Sequence, residues 1–127
     1  MISKELGAFG EKIVEEYLKK KGYRVLAKNY SVSFSSFDKG EIDIIARKDG
    51  VISFVEVKTT VGLSGSFSPE QRADYRKQRK LVKLSQIWLE KNKLPLDTPW
   101  QIDVVGVRID RQSGKAEISH FENVISG

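Results

Sequence analysis

The sequence contains no cysteine, which removes disulfides, thiolate zinc sites and cysteine nucleophiles together. It also has no Gly-rich phosphate loop and no Ser-His-Asp set. His120, the only histidine, falls in an expected strand and reads as a structural or surface residue, not a catalyst. No apolar run approaches the roughly 18 residues that a membrane span needs, so no membrane partner is expected. The N-terminal MISKELGAFGEK lacks the apolar stretch of a secretory signal, and with cysteine absent a cytoplasmic location is the expectation.

What is present is charge on an ordinary apolar framework. The 127 residues suit a single domain, 1–127, with one core. Twenty-two Lys and Arg against 17 Asp and Glu give a net charge of +5, which favours a polyanionic partner such as nucleic acid.

Leu6, Phe9, Ile13, Val14, Tyr17 and Leu18 recur at three and four residues and predict a helix from about Lys4 to Lys21, with Ser3 as N-cap and Gly22 ending it. Gly7 and Gly10 each cost about 1 kcal/mol relative to Ala inside a helix, so they mark either a close approach or a frayed first turn. YRVLAKNY (23–30) reads as a strand, and SVSFSSFDK (31–39) as a loop or an irregular strand extension. IDIIAR and VISFVEVK are strands joined at Lys48-Asp49-Gly50, and TTVGLSGSF after them reads as a mobile loop. SPEQ opens a second helix, with Ser68 as N-cap, Pro69 at the first helical position and Gln71 completing a capping box. That helix should reach about Asn92, with Leu81, Leu84 and Trp88 facing inward. WQIDVVGVRI and KAEISHF form a last pair of strands around RQSG. The order αβββαββ predicts an α/β fold with one mixed sheet of about five strands flanked by helices.

The stretch GEIDIIARKDGVISFVEVK carries Asp43, Glu56 and Lys58 inside core-type runs. If Asp49-Gly50 is a two-residue type I′ turn, Lys48 opposes Val51 and, counting outward, Asp43 opposes Glu56. One face then collects Ile42, Ile44, Ala46, Val55 and Val57, and the other Asp43, Ile45, Ile52, Phe54, Glu56 and Lys58. Opposed residues have Cβ atoms about 4.5 to 5.5 Å apart, and two carboxylates at that separation repel unless a cation lies between them. Spacing alone equally allows an exposed edge hairpin whose Glu and Lys pair on the surface for about 0 to 1 kcal/mol.

Glu11 borders the buried stripe of the first helix, either as a third carboxylate or as a surface neighbour of Glu15. Lys77 precedes Leu81 and Leu84 by four and seven residues and is aimed at the sheet. Arg72, Arg76, Arg79, Lys80 and Lys83 form a solvated face that would bind phosphates in a nuclease. Asp43 and Glu56 suffice for Mg²⁺ or Mn²⁺, which take oxygen ligands and keep several waters, and Lys58 beside them would stabilise a hydroxide or an oxyanion. Asp103 reads as a buried, hydrogen-bonded structural residue and Trp88 and Trp100 as packing; Tyr75 and Phe67 are the aromatics offered for base stacking.

GEIDIIA followed by FVEVK resembles the PD-(D/E)XK nuclease superfamily, with Asp43 as its first acid and Glu56-Val57-Lys58 as its E-x-K. GAFGEKIVEEYLKKKGYRVLAKNY, GEIDIIA, FVEVKTT, KQRKL and IDVVGV together resemble the YraN-like family of small bacterial proteins over nearly the whole chain. The resemblance implies a restriction-endonuclease-like domain similar to archaeal Holliday-junction resolvases. It carries catalytic roles onto Glu11, Asp43, Glu56 and Lys58, makes Glu41 and Lys77 accessory, and adds the Val57 backbone carbonyl to Asp43 and Glu56 as metal ligands. The chain departs from the family pattern in the length and low charge of SVSFSSFDK and in Thr60, where Arg is usual. The expected activity is metal-dependent hydrolysis of DNA, branched or structured forms above short specific sequences, and two-fold symmetric cleavage would suit a homodimer. The rival expectation is a non-catalytic nucleic-acid-binding or assembly module that keeps the fold.

Overall fold

The computed structural model describes residues 3–62 and 75–125, with side chains from residue 4 in the first helix and from residue 77 in the second. The elements are α1 (Ser3–Lys20), β1 (Arg24–Ser33), β2 (Lys39–Lys48), β3 (Val51–Val61), α2 (Tyr75–Lys91), β4 (Trp100–Ile109) and β5 (Ala116–Phe121). This is the expected αβββαββ order. The strands lie in the sheet in chain order, antiparallel throughout except for β3 and β4. Those two are parallel because α2 carries the chain back between them, as a parallel pair requires.

Helix α1 stops where Gly22 enters the left-handed region at φ 94°. There the Tyr23 N–H donates to Leu18 O at 2.9 Å and the Gly22 N–H to Lys19 O at 3.1 Å, which satisfies carbonyls that the helix end leaves open. Asp49 and Gly50 both have positive φ, 52° and 80°, and Lys48 pairs with Val51, as a type I′ turn demands. The ladder then runs in the expected register out to Ile44 opposite Val55.

The two faces of the sheet bury separate clusters. Helix α1 supplies Val14 and Leu18 to one, against Ile44, Ala46, Val55, Val105 and Val107. Helix α2 supplies Leu81, Leu84 and Trp88 to the other, against Ile45, Ile52, Phe54 and Ile102. Ile42 departs from expectation: it belongs to the α2 cluster, not to the face of Ile44. The reason lies across the ladder. Asn29, between the Lys28–Ile44 and Tyr30–Ile42 pairs, has φ 51°, and a left-handed residue interrupts strand alternation. Both strands turn over at this point, so that Ala27 and Tyr30, like Ile45 and Ile42, are three apart yet share the α2 side.

Ser31–Ser33 continue β1, the strand-extension alternative for this stretch, and β3 is longer than the sequence suggests: Thr59–Val61 continue it, held by parallel pairing to Val107–Ile109, where a mobile loop was expected. The expected capping role of Ser3, the SPEQ start of the second helix, and the side chains of Phe67, Arg72, Tyr75 and Arg76 lie outside the described residues.

The two helix glycines behave differently. A Cβ on Gly10 would sit 1.9 Å from Thr59 Oγ1 and 2.9 Å from Thr59 Cβ, so α1 crosses β3 at a distance only glycine permits; a Cβ on Gly7 meets nothing within 4 Å. Gly7→Ala should therefore stabilise the fold by up to about 1 kcal/mol through helix propensity, whereas Gly10→Ala should destabilise it despite the same propensity gain. Urea denaturation of both variants checks this, and adding Thr59→Ala to Gly10→Ala should recover part of the loss.

Candidate functional site

Beyond Ile44 and Val55 the ladder between β2 and β3 stops. Strand β2 stays with β1 as far as Lys39, and β3 stays with β4, so a fork opens between them. Asp43 stands in the crotch of this fork. Its Oδ2 accepts the Val57 backbone N–H at 2.7 Å, replacing a ladder bond with a side-chain bond.

Because β2 has turned over, Gly40 and Ile42 face α2, and Glu41 and Asp43 turn toward α1. A Cβ on Gly40 would lie 2.6 Å from Leu84, which shows how closely α2 presses on that face. Glu11 reaches down from α1, and oxygens of Glu11, Glu41 and Asp43 come within 4.8 Å of one another. Asn29 holds this group from below. Its side-chain NH₂, oriented toward the acids, donates to Glu11 Oε1 at 2.7 Å and Glu41 Oε1 at 3.0 Å. The distortion that inverts the strands thus also delivers a donor to the acids.

Glu56 approaches from the α2 side. Its carboxylate is buried at 8% exposure; Lys77 Nζ lies 2.8 Å and Lys58 Nζ 4.0 Å from Oε1. Oε2 is buried with no hydrogen-bond partner among the described residues. Asp43 borders two hollows. One, of about 250 Å³, is shared with Glu11 and Lys28 on the α1 side; the other, of about 410 Å³, with Glu41, Glu56, Lys77 and Lys80 on the α2 side. Asp43 and Glu56 therefore do not stand directly opposed on one sheet face as the extended register implied. They meet across the fork, and Asp43 groups first with Glu11 and Glu41.

Crowding of like charges shows in the ionisation. Burial, opposed by the Val57 N–H and reinforced by Glu11, Glu41 and Glu56, raises the Asp43 carboxyl to about 7. Glu11 is also raised, by burial and then by Glu41, with Lys28 opposing.

Lys77 joins the site as its helical position suggested. Lys80 also lines the α2-side hollow and donates to Asp38 Oδ1 at 2.5 Å and to Lys39 O at 3.1 Å. Lys83 lies farther along α2, over the Phe34 ring. Asn29 was missed. Its signal was an asparagine, a residue that tolerates the left-handed region, inside an otherwise regular strand pattern.

A second group, Asp103, His120 and Glu122, also brings possible ligand atoms within 4.8 Å. Its chemistry is already taken up: Asp103 is fully buried and meets His120 Nε2, Gln101 Nε2 and the Asn123 N–H at 2.9 Å each, and Tyr17 OH lies 3.0 Å from His120 Nδ1. This network ties β5 and α1 to β4 and fits the structural reading of Asp103 and His120.

Residues 10–107 match the model of an uncharacterised protein family, UPF0102. The chain belongs to the UPF0102 family, the YraN family. It is 40% identical over 125 residues to a UPF0102 protein of Alkaliphilus oremlandii, covering 96% of this chain and 98% of that one. A UPF0102 protein of Roseiflexus castenholzii is 36% identical over 116 residues, with 91% and 89% covered, and one of Fervidobacterium nodosum 39% identical over 117, with 90% and 77% covered. The UPF0102 match runs from Gly10 in α1 to Val107 in β4, so it includes Glu11, Asn29, Glu41, Asp43, Glu56, Lys58 and Lys77 and ends before β5.

The raised Asp43 sets a pH dependence. Between 3.8 and about 7 the folded chain holds a proton that the unfolded chain has released, so metal-free stability falls as pH rises through this window and levels off above it. Asp43→Asn keeps an acceptor for the Val57 N–H and removes the charge. In calorimetry with a chelator, it should melt above the wild type at pH 8, the gap closing toward pH 4. An unchanged gap would show that Asp43 is not the titrating group.

Proposed function

We propose that this UPF0102 protein is a divalent-metal-dependent nuclease acting on DNA, with Asp43 and Glu56 as its central acids. One observation carries the reading: three carboxylates lie within 4.8 Å of one another at a half-buried fork, and a fourth has a buried oxygen with no hydrogen-bond partner among the described residues. Such a group is mutually repulsive without a cation, and its all-oxygen donors suit Mg²⁺ or Mn²⁺. The residues fit that ion. Asp43 and Glu56, with the Val57 carbonyl, are the ligands proposed, and Glu11 and Glu41 border them on the α1 side.

When bound, such an ion neutralises charge on the phosphate and lowers the pKa of a bound water. The chain's own groups do the rest. Lys58 Nζ, close to Glu56 and partly exposed, is available to donate to a phosphate oxygen or to hold the attacking water. Glu11, whose carboxyl is raised by burial and by Glu41 beside it, is the group placed to take a proton from that water. Asn29 fixes the Glu11 and Glu41 carboxylates, so little reorganisation is needed. Lys80, Lys83 and Arg79 of α2, with Arg72 and Arg76 before them in sequence, supply cations for the DNA backbone.

Lys77 favours weighing a second reading, a non-catalytic nucleic-acid-binding or assembly module, because its ammonium already meets Glu56 at 2.8 Å. Titration calorimetry with Mn²⁺ and Mg²⁺, followed by cleavage of branched and duplex DNA, separates the two. The nuclease reading expects metal binding that an Asp43→Asn/Glu56→Gln double variant loses, and cleavage lowered by at least about 100-fold in either single variant. No metal binding and no cleavage, with Glu56→Ala binding DNA as well as or better than the wild type, would establish the non-catalytic module.

A further inference from the structure

Next to the acid fork lies a second hollow with different chemistry. It measures about 450 Å³, between α2 and the turn from β1 to β2, with Phe34 and Val82 below and Arg79, Lys80 and Lys83 at the rim beside Asp38 and Gln86. Its floor is apolar, since Phe34 and Val82 pack against the α2-side core, and its rim carries three cations against the single carboxylate of Asp38, which Lys80 meets. Lys83 Nζ lies 4.5 Å from the centre of the Phe34 ring. At the tip of the same turn Phe37 is 99% exposed.

The turn that presents Phe37 is braced. The Phe34 N–H donates to Asp38 O at 2.7 Å, and Ser35 Oγ accepts the Asp38 N–H at 3.1 Å and the Phe37 N–H at 3.3 Å. Lys80 ties the turn to α2 through Asp38. An aromatic ring held on an ordered turn beside an apolar floor and a cationic rim has the two components that unpaired nucleotides need, a stacking surface and backbone neutralisation. A duplex, whose bases are already stacked, gains nothing from the ring.

We infer that this hollow and Phe37 hold unpaired DNA nucleotides beside the acid fork, so that the substrate is DNA in which a single-stranded segment adjoins a duplex. Lys80 borders both hollows, so a strand seated on the Phe37 side continues past it toward Glu41, Asp43 and Glu56. The inference deepens the nuclease reading and rests on it for what the held strand is for; the groove's affinity for unpaired nucleotides stands independently of cleavage.

The test uses the full chain with EDTA, a fluorescent oligothymidylate and a blunt duplex, read by anisotropy. Phe37→Ala should weaken single-strand binding about 10-fold and duplex binding less than about twofold. Lys83→Gln should weaken both and reduce the slope of log affinity against log salt by about 1. Phe37→Trp should retain single-strand affinity, and its indole fluorescence should be quenched on binding, which a structural role would not produce. Equal oligothymidylate affinity in the wild type and Phe37→Ala, or an unquenched Phe37→Trp, overturns the inference. Cleavage assays with Mn²⁺ keep the two readings apart. If the wild type cleaves forked DNA and Phe37→Ala cleaves it equally well, the groove is refuted and the nuclease stands. If nothing cleaves but the Phe37 effects on oligothymidylate hold, the groove stands and the nuclease is refuted.

Discussion

The arrangement depends on one hydrogen bond, from the Val57 backbone N–H to the Asp43 carboxylate. In an uninterrupted antiparallel ladder that N–H would face a backbone carbonyl of β2. Here a side chain takes it, and the strands can part without leaving a buried donor unsatisfied. The opening lets Glu11 of α1 reach the sheet from one side and Lys77 of α2 from the other. An unpaired N–H at this position would cost about 1 to 3 kcal/mol, so the same carboxylate that opens the site also makes the opening tolerable. This dual engagement accounts for the Asp43 carboxyl rising only to about 7 despite its burial among three other acids, because the N–H favours the charged form.

Much of the fold was legible because it follows from local rules. The Asp49-Gly50 turn fixed a two-residue hairpin, and the hairpin fixed the register from Lys48–Val51 to Ile44–Val55. Gly22 ended α1, and the stripe through Val14 and Leu18 became one of the two cores. What could not be read was the point where the register ceases to govern. Counting outward from the turn assumes strict alternation, and Asn29 breaks it opposite Asp43, so that Ile42 changes face and the acids gather across a fork. An asparagine in a strand signals tolerance of the left-handed region but does not say that the region is occupied. Glu41 shows the same limit: two residues from Asp43, it shares that residue's face in any register, but only the inversion turns the pair toward α1 and Glu11.

The site is assembled against the grain of stability. Glu11, Glu41 and Asp43 repel one another, Glu56 keeps a buried oxygen without a hydrogen-bond partner among the described residues, and Asn29 sits at a positive φ. Each is unfavourable in isolation, and all fall within one corner of the sheet. The other buried acid, Asp103, differs in that its oxygens are met by His120, Gln101 and Asn123, whereas the acids of the fork face one another, which is the pattern expected where sequence is constrained by chemistry as well as by folding. The close crossing at Gly10 and Thr59 belongs to the same corner: it draws α1 near enough to the sheet for Glu11, one residue later, to reach the fork.

The two helices give the fork opposite electrical sides. Helix α1 contributes Glu11, reinforced by Glu41, while α2 contributes Lys77 and Lys80 and, farther out, Lys83 and Arg79. The α1-side hollow sets Glu11 and Glu15 beside Lys12 and Lys28, whereas Lys39, Lys77 and Lys80 line the α2-side hollow, so the α2 side offers an arriving polyanion the larger group of cations. In the proposed reading the phosphate arrives along α2 and lies between cations of the chain and a cation held by Asp43 and Glu56. Lys77, paired with Glu56 before that ion is present, occupies the position where positive charge is needed and holds the buried Glu56 side chain at the fork. The basic helix then does more than attract a nucleic acid: through Lys77 it also positions one of the acids of the site.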